Sequence, residues 1–382
     1  MVGAGVSGLT AALRLMQAGA DVQLLEAGPR PGGRVHTVEA GEPFEAGAEE
    51  LHVSDVHLRA LCAELDVALE PQPAPRQVRT LVAGRCDPEP GPAFRALLAE
   101  LRRLHAAPDA AADMLSVADW MRQAGASPLD LALAELLTTT AAPAVPAAQA
   151  SLLGLALEPE SARGLRITGG GQRLVGSLAG RLAGRITLRT GAVRLLPQPD
   201  AVVVETGGRP LLAARVVLAV PLWARGPGLM PVAGARYGVA VKSLLRFADP
   251  LPAGPDAVVS DGPLGYARAL GPHTIVAFTG GRAAAGLIRL PAASRDRALA
   301  AAARAAFGAR PAAICSLAWP RCTLAPAPGQ LTAWGQTLRE PRGRVHLAGS
   351  EASERPSLVE GAVRAGERAA REVLEAADED HR

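Results

Sequence analysis

Apolar residues return every three or four positions soon after the start of the chain. Leu9, Ala12, Leu13, Leu15 and Met16 predict one buried helix face, and the stretch 21–26, DVQLLE, predicts a strand behind it. Only Met1 and Val2 precede Gly3, where the first strand of a β-α-β unit normally contributes several residues. Either the start lies further upstream or the central strand is shortened. Residues 165–221 repeat the logic with a Gly-rich turn at Gly169–Gly171, an amphipathic helix over about 172–182, and strands near 185–189, 192–196, 201–206 and 211–220. The last of these, RVVLAVP, is apolar enough to extend the sheet begun at the N-terminus. Near the other end a buried strand at 344–348 is followed by a turn at Gly349 and a long helix from about Leu358. Between these parts lie helix candidates at 93–106, 117–124, 128–140 and 294–307, and the strand-like run GVAVKSLLRF at 238–247. Prolines at 71, 73, 75, 88, 90 and 92 break the segment that precedes the first of them. Strands interleaved with helices predict an α/β (α+β) chain.

Composition narrows the class. With 382 residues, 49% hydrophobic and 20% charged, the chain is long enough for two domains and has an ordinary globular balance. The net charge of +3 comes without a basic block, which argues against nucleic-acid binding. Cys62, Cys86, Cys315 and Cys322 show no zinc or redox spacing, so a reducing compartment is expected. No run reaches the roughly 18 apolar residues of a membrane helix, and a start inside a Gly-rich motif leaves no room for a signal peptide. A cytoplasmic protein without membrane contact is the expectation, with its oligomeric state open.

Chemistry enters through the glycines. Gly3, Gly5 and Gly8 form G-x-G-x-x-G between a strand and a helix, and the next strand ends in Glu26. That context suits a dinucleotide: a tight turn, close backbone approach, helix packing, an anion site at the helix N-terminus, and a carboxylate for ribose hydroxyls. The following PGGRVHT allows further close approach at Gly32 and Gly33, and Arg34 can meet the pyrophosphate or the flavin edge rather than serve as a surface arginine. Gly349, with the helix beyond it, offers a third cluster of backbone N–H groups. Lys242 is the sole lysine, every other residue of the Lys+Arg total of 40 being arginine. A buried ammonium is smaller and more tunable than a guanidinium, whereas a snorkelling lysine at a strand edge is the bland alternative.

Taken in order, GAGVSGLTAALRL…LLEAGPRPGGRVHT, ITGGGQRL, VVLAVP, VAVKSLLRF and VHLAGSEAS…VEGAVRAGERAAREVL resemble the motifs of the flavin-containing monoamine oxidase family, which includes polyamine oxidases, L-amino acid oxidases and protoporphyrinogen oxidase. The resemblance covers about half of the chain. It implies a Rossmann-like FAD-binding domain over 1–71, 163–231 and 319–382, interleaved with a smaller mixed sheet-and-helix substrate domain over 72–162 and 232–318. It also implies that Gly3, Gly5, Val6, Ser7, Gly8, Glu26, Ala27, Arg30, Gly32, Gly33, Arg34, Val193, Gly349, Ser350, Glu351, Leu358 and Val359 hold FAD. Val193 would lie beside the adenine, or else be an ordinary core valine. Lys242 falls where the family keeps a lysine that approaches flavin N5 through a water. The implied reaction removes hydride from the carbon beside a neutral amine nitrogen of a small-molecule substrate, with O2 as acceptor.

Several positions depart from the family pattern. Leu358 occupies a position where monoamine oxidases carry a cage tyrosine, and the segment 319–335 has no tyrosine for the other. The arginine usual after "EA" is replaced by Gly28, with Arg30 the nearest substitute. Cys322 lies where some relatives attach flavin, but its loop is short, so non-covalent FAD is expected. Trp319 and Trp334 are aromatics near this region, with core or lid packing as their plainer role, and His52 and His57 are expected to be polar surface residues. The missing cage keeps two alternatives open: a desaturase or protoporphyrinogen-oxidase-like C–C oxidation, and a flavin-binding protein that has lost catalysis.

Overall fold

The computed structural model describes residues 1–140, 143–157, 164–335, 337–354 and 356–380. The chain divides into two compact units, one of Met1–Gln72, Ser161–Ala235 and Trp334–Arg382, the other of Pro73–Glu160 and Arg236–Ala333.

In the first unit Leu24–Leu25 pairs in parallel with Ile186–Thr187, and Val216–Leu218 with Val345–Leu347. Val2 joins the two pairs through parallel bridges to Leu25 and Leu218. Numbered along the chain, the strands therefore run 3-2-1-4-5, the order of a dinucleotide-binding sheet. Val2 is the bridging residue of the central strand between its two neighbours. Helix Val6–Gln17 follows it and buries Leu9, Leu13 and Leu15 against helix Gln172–Arg181 and the C-terminal helix Val359–Asp380. The contact with the C-terminal helix is close because Gly366 has no side chain: a Cβ there would collide with the Ser7 carbonyl and stand 3.0 Å from the Thr10 Cβ.

The strand expected over 211–220 is two strands. Leu211–Ala213 completes an antiparallel sheet with Ala192–Pro197 and Val202–Thr206, while Val216–Leu218 enters the parallel sheet. Arg215 marks the break, its guanidinium bonded to Asp380 at 2.7 Å and to the Ala376 carbonyl at 2.6 Å. His52 is not a surface residue. It is buried in strand Leu51–His52, which pairs with Gly164–Ile167, and its backbone N–H donates to Asp55 Oδ2. His57 is half-exposed, with Nδ1 2.7 Å from Glu367.

The second unit is built on a seven-stranded sheet whose spatial order is Ala313–Trp319, Ala240–Arg246, Thr274–Gly280, Tyr266–Gly271, Ala257–Ser260, Val78–Val82 and Arg85–Cys86. Helices Gly281–Arg289 and Ala292–Phe307 cover one face, burying Val241, Leu245, Ile275 and Ala277. Helices Pro92–Ala106, Val117–Gln123 and Pro128–Thr140 lie where the periodicity predicts them and form a separate core with Leu152–Ala156. Residues 319–333, expected in the first unit, belong to the second: Ala325 is buried in the helical core, and Cys322 N–H donates to the Gly238 carbonyl. Among the described residues no helix is long and apolar enough to cross a membrane.

Candidate active site

Strand order 3-2-1-4-5 leaves a crevice at the carboxyl ends of strands 1 and 4, between Val2 and Val216–Leu218, where such sheets bind ligands. Gly3 sits there at φ +99°, and a Cβ on it would stand 2.8 Å from the Ala219 carbonyl oxygen. Both conformation and space therefore require glycine. A Cβ on Gly8 would strike the Gly3 carbonyl, whereas one on Gly5 would meet nothing within 4 Å. Gly5 thus leaves open space in front of helix Val6–Gln17, whose N-terminus no side chain caps. First-turn N–H groups facing such a space form an anion site. Ser7, in that turn, accepts the Gly349 N–H at 2.9 Å, which ties the first glycine turn to the last.

Glu26 follows strand Leu24–Leu25. Its Oε2 accepts the Ala4 N–H at 2.8 Å and Oε1 the Gly28 N–H at 2.7 Å. Two backbone donors fix the carboxylate and leave acceptor capacity for ribose hydroxyls. Ala27 lies beside it, 3.3 Å from where a Gly191 Cβ would stand. Arg30, the substitute for the missing arginine, uses its fork on the carbonyls of Pro31, Val35 and Gly33 at 2.8–3.1 Å and so shapes the loop itself. Burial lowers its pKa, with Glu26 pulling the other way, and burial followed by the charge of Arg30 lowers that of His36.

Gly32 donates to the Ala4 carbonyl at 2.8 Å, and Gly33 at φ +57° brings its missing Cβ within 3.5 Å of the Gly5 Cα. Arg34 is no surface arginine. One of its nitrogens lies 3.0 Å from Ser350 Oγ and 2.8 Å from Glu351, whose carboxylate is buried. A single guanidinium therefore joins the PGGR loop to the segment after Gly349. Val359 begins the C-terminal helix with Leu358 half-buried just before it, while Val193 is 57% exposed on the antiparallel sheet, which ends its core reading.

Arg225 escaped the sequence reading. It is 4% exposed and reaches the carbonyls of Val220 and Ala348, which follow strands 4 and 5 at the mouth of the crevice. In a chain that uses arginine for nearly every cation, one more carries no signal.

Lys242 lies in the second unit, centrally in its sheet. Both neighbouring strands pair with it, Phe278 on one side and Leu317 on the other, and it is 6% exposed. A snorkelling lysine at a strand edge does not fit that position. Strand alternation puts it on the face opposite the two covering helices. Tyr266, Phe278, Lys242 and Leu317 form one row across four strands of that face, and Trp319 lies one row along, opposite Ala240. Trp334 ends the short helix Gln330–Trp334 instead.

Residues 6–374 match the family described as flavin containing amine oxidoreductase. The chain belongs to that family. A flavin-containing amine oxidase of Oncorhynchus mykiss is 60% identical over 48 residues, 12% of this chain and 9% of that protein, so the matched stretch spans about a tenth of the curated relative. The structure superposes on cyclohexylamine oxidase from Brevibacterium oxydans IH-35A with TM-score 0.87, at 25% identity, covering 99% of this chain and 98% of that one. It shares the fold of a putrescine oxidase with TM-score 0.86, at 21% identity over 98% of each chain. FAD is the cofactor of this flavin-containing family, and the first unit's residues fit it: an open space at Gly5, an uncapped helix start, and a carboxylate held for hydroxyls.

Proposed function

We propose that the protein is an FAD-dependent oxidase that removes hydride from the carbon beside an amine nitrogen of a small molecule. The observation that carries this reading is the conjunction of a glycine-turn crevice in the first unit with a central, buried, solitary lysine in the second. FAD, when bound, would supply the two-electron acceptor, with O2 as the final oxidant. The first unit is the FAD-binding domain, and Gly3, Gly5, Val6, Ser7, Gly8, Glu26, Ala27, Arg30, Gly32, Gly33, Arg34, Val193, Gly349, Ser350, Glu351, Leu358 and Val359 are its holding residues.

Each group has a physical task. The N–H groups of Val6 and Ser7 would hold the pyrophosphate, Glu26 would accept ribose hydroxyls, and Arg34, oriented by Glu351, would supply a cation. Holding is non-covalent, in line with the short loop that carries the half-buried Cys322. The second unit is the substrate domain. Its Lys242 holds and moves water protons at the site of oxidation, and the aromatic row beside it takes the apolar body of the substrate.

The test is anaerobic. Purified yellow protein is mixed with primary amines, secondary amines and amino acids, and loss of flavin absorbance is followed, then peroxide after air is admitted. Bleaching by at least one amine, faster as pH rises toward the amine pKa, is the expected result. Bleaching by ring C–C substrates and by no amine transfers the protein to the second reading, and no bleaching by any compound leaves a binder without catalysis.

A further inference from the structure

Strand 5 of the first unit, Val345–Leu347, stands at the edge of its parallel sheet and has Val216–Leu218 as its one strand partner among the described residues. Successive residues of a parallel strand turn their backbone groups to opposite sides. The Ala348 N–H goes to the Leu218 carbonyl, so the Leu347 carbonyl points outward from the edge, yet Leu347 is 1% exposed. A buried edge carbonyl needs a donor. Arg368 on the C-terminal helix supplies it at 2.7 Å.

The same nitrogen of Arg368 also reaches the Ala352 carbonyl, at 3.2 Å. Leu347 and Ala352 lie on either side of the turn made by Gly349, Ser350 and Glu351, so one atom bridges its two ends. The other terminal nitrogen holds the Arg339 carbonyl at 2.9 Å and Glu372 Oε1 at 2.5 Å. Two nitrogens thus serve four acceptors, a geometry suited to a guanidinium fork and not to a single ammonium. The turn held in this way carries groups assigned above to the FAD site. Gly349, at φ +104°, donates its N–H to Ser7 Oγ, and Ser350 and Glu351 meet the Arg34 guanidinium at 3.0 and 2.8 Å.

We propose that Arg368 is a positioning residue for FAD: by fixing the span between the Leu347 and Ala352 carbonyls it sets the Gly349 turn, and through Glu351 the direction of Arg34. This rests on the reading above in which Gly349, Ser350 and Arg34 hold FAD. A side chain that acts through a turn is energetically coupled to the residues the turn orients, whereas one that only supports its helix adds its effect independently.

A double-mutant cycle tests it, with each apoprotein titrated with FAD. Arg368→Met and Arg34→Met should each raise the Kd about 10- to 100-fold, and Arg368→Lys by less, because it returns the charge without the fork. The two methionine substitutions together should fall short of the product of their separate factors by about fivefold or more. At saturating FAD, Arg368→Met should also move the visible absorbance maximum of the bound flavin, which a loss of helix stability alone does not do. Glu372→Gln disturbs the charge beside Arg368 but spares both turn carbonyls, so it should lower stability and leave the Kd within about twofold. Additive factors, an unmoved absorbance maximum, or a Kd that rises as much in Glu372→Gln as in Arg368→Met overturns the assignment. Weaker binding in Arg34→Met alone removes Arg368 and keeps the turn in the site, whereas a wild-type Kd in every variant removes the turn from the FAD site and the role of Arg368 with it. Should Arg368→Met fail to fold, the cycle is run with Arg368→Lys under the same criteria.

Discussion

At the scale of single residues, Glu26 and Lys242 make opposite demands on their surroundings. Glu26 is held by two backbone N–H groups, one on each oxygen. An amide in its place must turn its NH2 toward one of those donors, so Glu26→Gln should weaken FAD binding by about 10- to 100-fold, read by titrating apoprotein with FAD. Lys242→Met keeps the length and apolar body of the side chain and removes the charge. It should retain FAD and slow flavin reduction or reoxidation by about 100-fold, followed by stopped-flow absorbance; loss of flavin instead would make the lysine structural. Glu372 gives a pH test away from the site. Burial opposes its charge, but hydrogen bonds from His346 and Arg368 outweigh that and hold its carboxyl below the usual range. Its stabilisation is therefore present above the ordinary glutamate pKa of about 4.3 and fades as pH falls through the depressed value. Glu372→Gln should cost roughly 1 kcal/mol at pH 7 in urea denaturation, the gap from wild type closing as the pH is taken toward 3.

Among elements, the pair formed by helices Val6–Gln17 and Val359–Asp380 positions the anion site, and Gly366 sets their separation. Gly366→Ala places a methyl against the Ser7 carbonyl, which must shift the first turn. We expect a loss of about 1–3 kcal/mol in denaturation together with weaker FAD retention, since the same turn carries Val6 and Ser7. Long elements with a clear period were legible in the sequence: Pro92–Ala106, Val117–Gln123, Pro128–Thr140, Gln172–Arg181 and Ala292–Phe307 lie within two residues of their expected bounds. Helix Val56–Glu64 was missed because only Leu58, Leu61 and Cys62 mark its buried side, too few turns to show a period. The break between Leu211–Ala213 and Val216–Leu218 was invisible because the two strands pair in different sheets, the second with Val345–Leu347, far away in sequence.

For the molecule as a whole, ligand linkage gives the broadest test: FAD that binds only the folded chain should raise the thermal midpoint of apoprotein, by an amount equivalent to about 2.7 kcal/mol at a hundred times its Kd. Glu26→Gln should blunt that rise, and a midpoint indifferent to FAD would count against the crevice. Glycine motifs made this part of the site readable, because each glycine answers a local backbone need that sequence alone displays. The Lys242 face was not readable to the same degree. Which residues accompany the lysine depends on register across Tyr266–Gly271, Thr274–Gly280 and Ala313–Trp319, and register is fixed by pairing rather than by composition. The solitude of that lysine has a use at the bench: its Nζ is the one ε-amine a label can find. Reductive methylation with isotopic formaldehyde would write a lone side-chain resonance into the spectrum, and its chemical shift would act as a built-in reporter of every ligand that alters the electrostatics of the sheet.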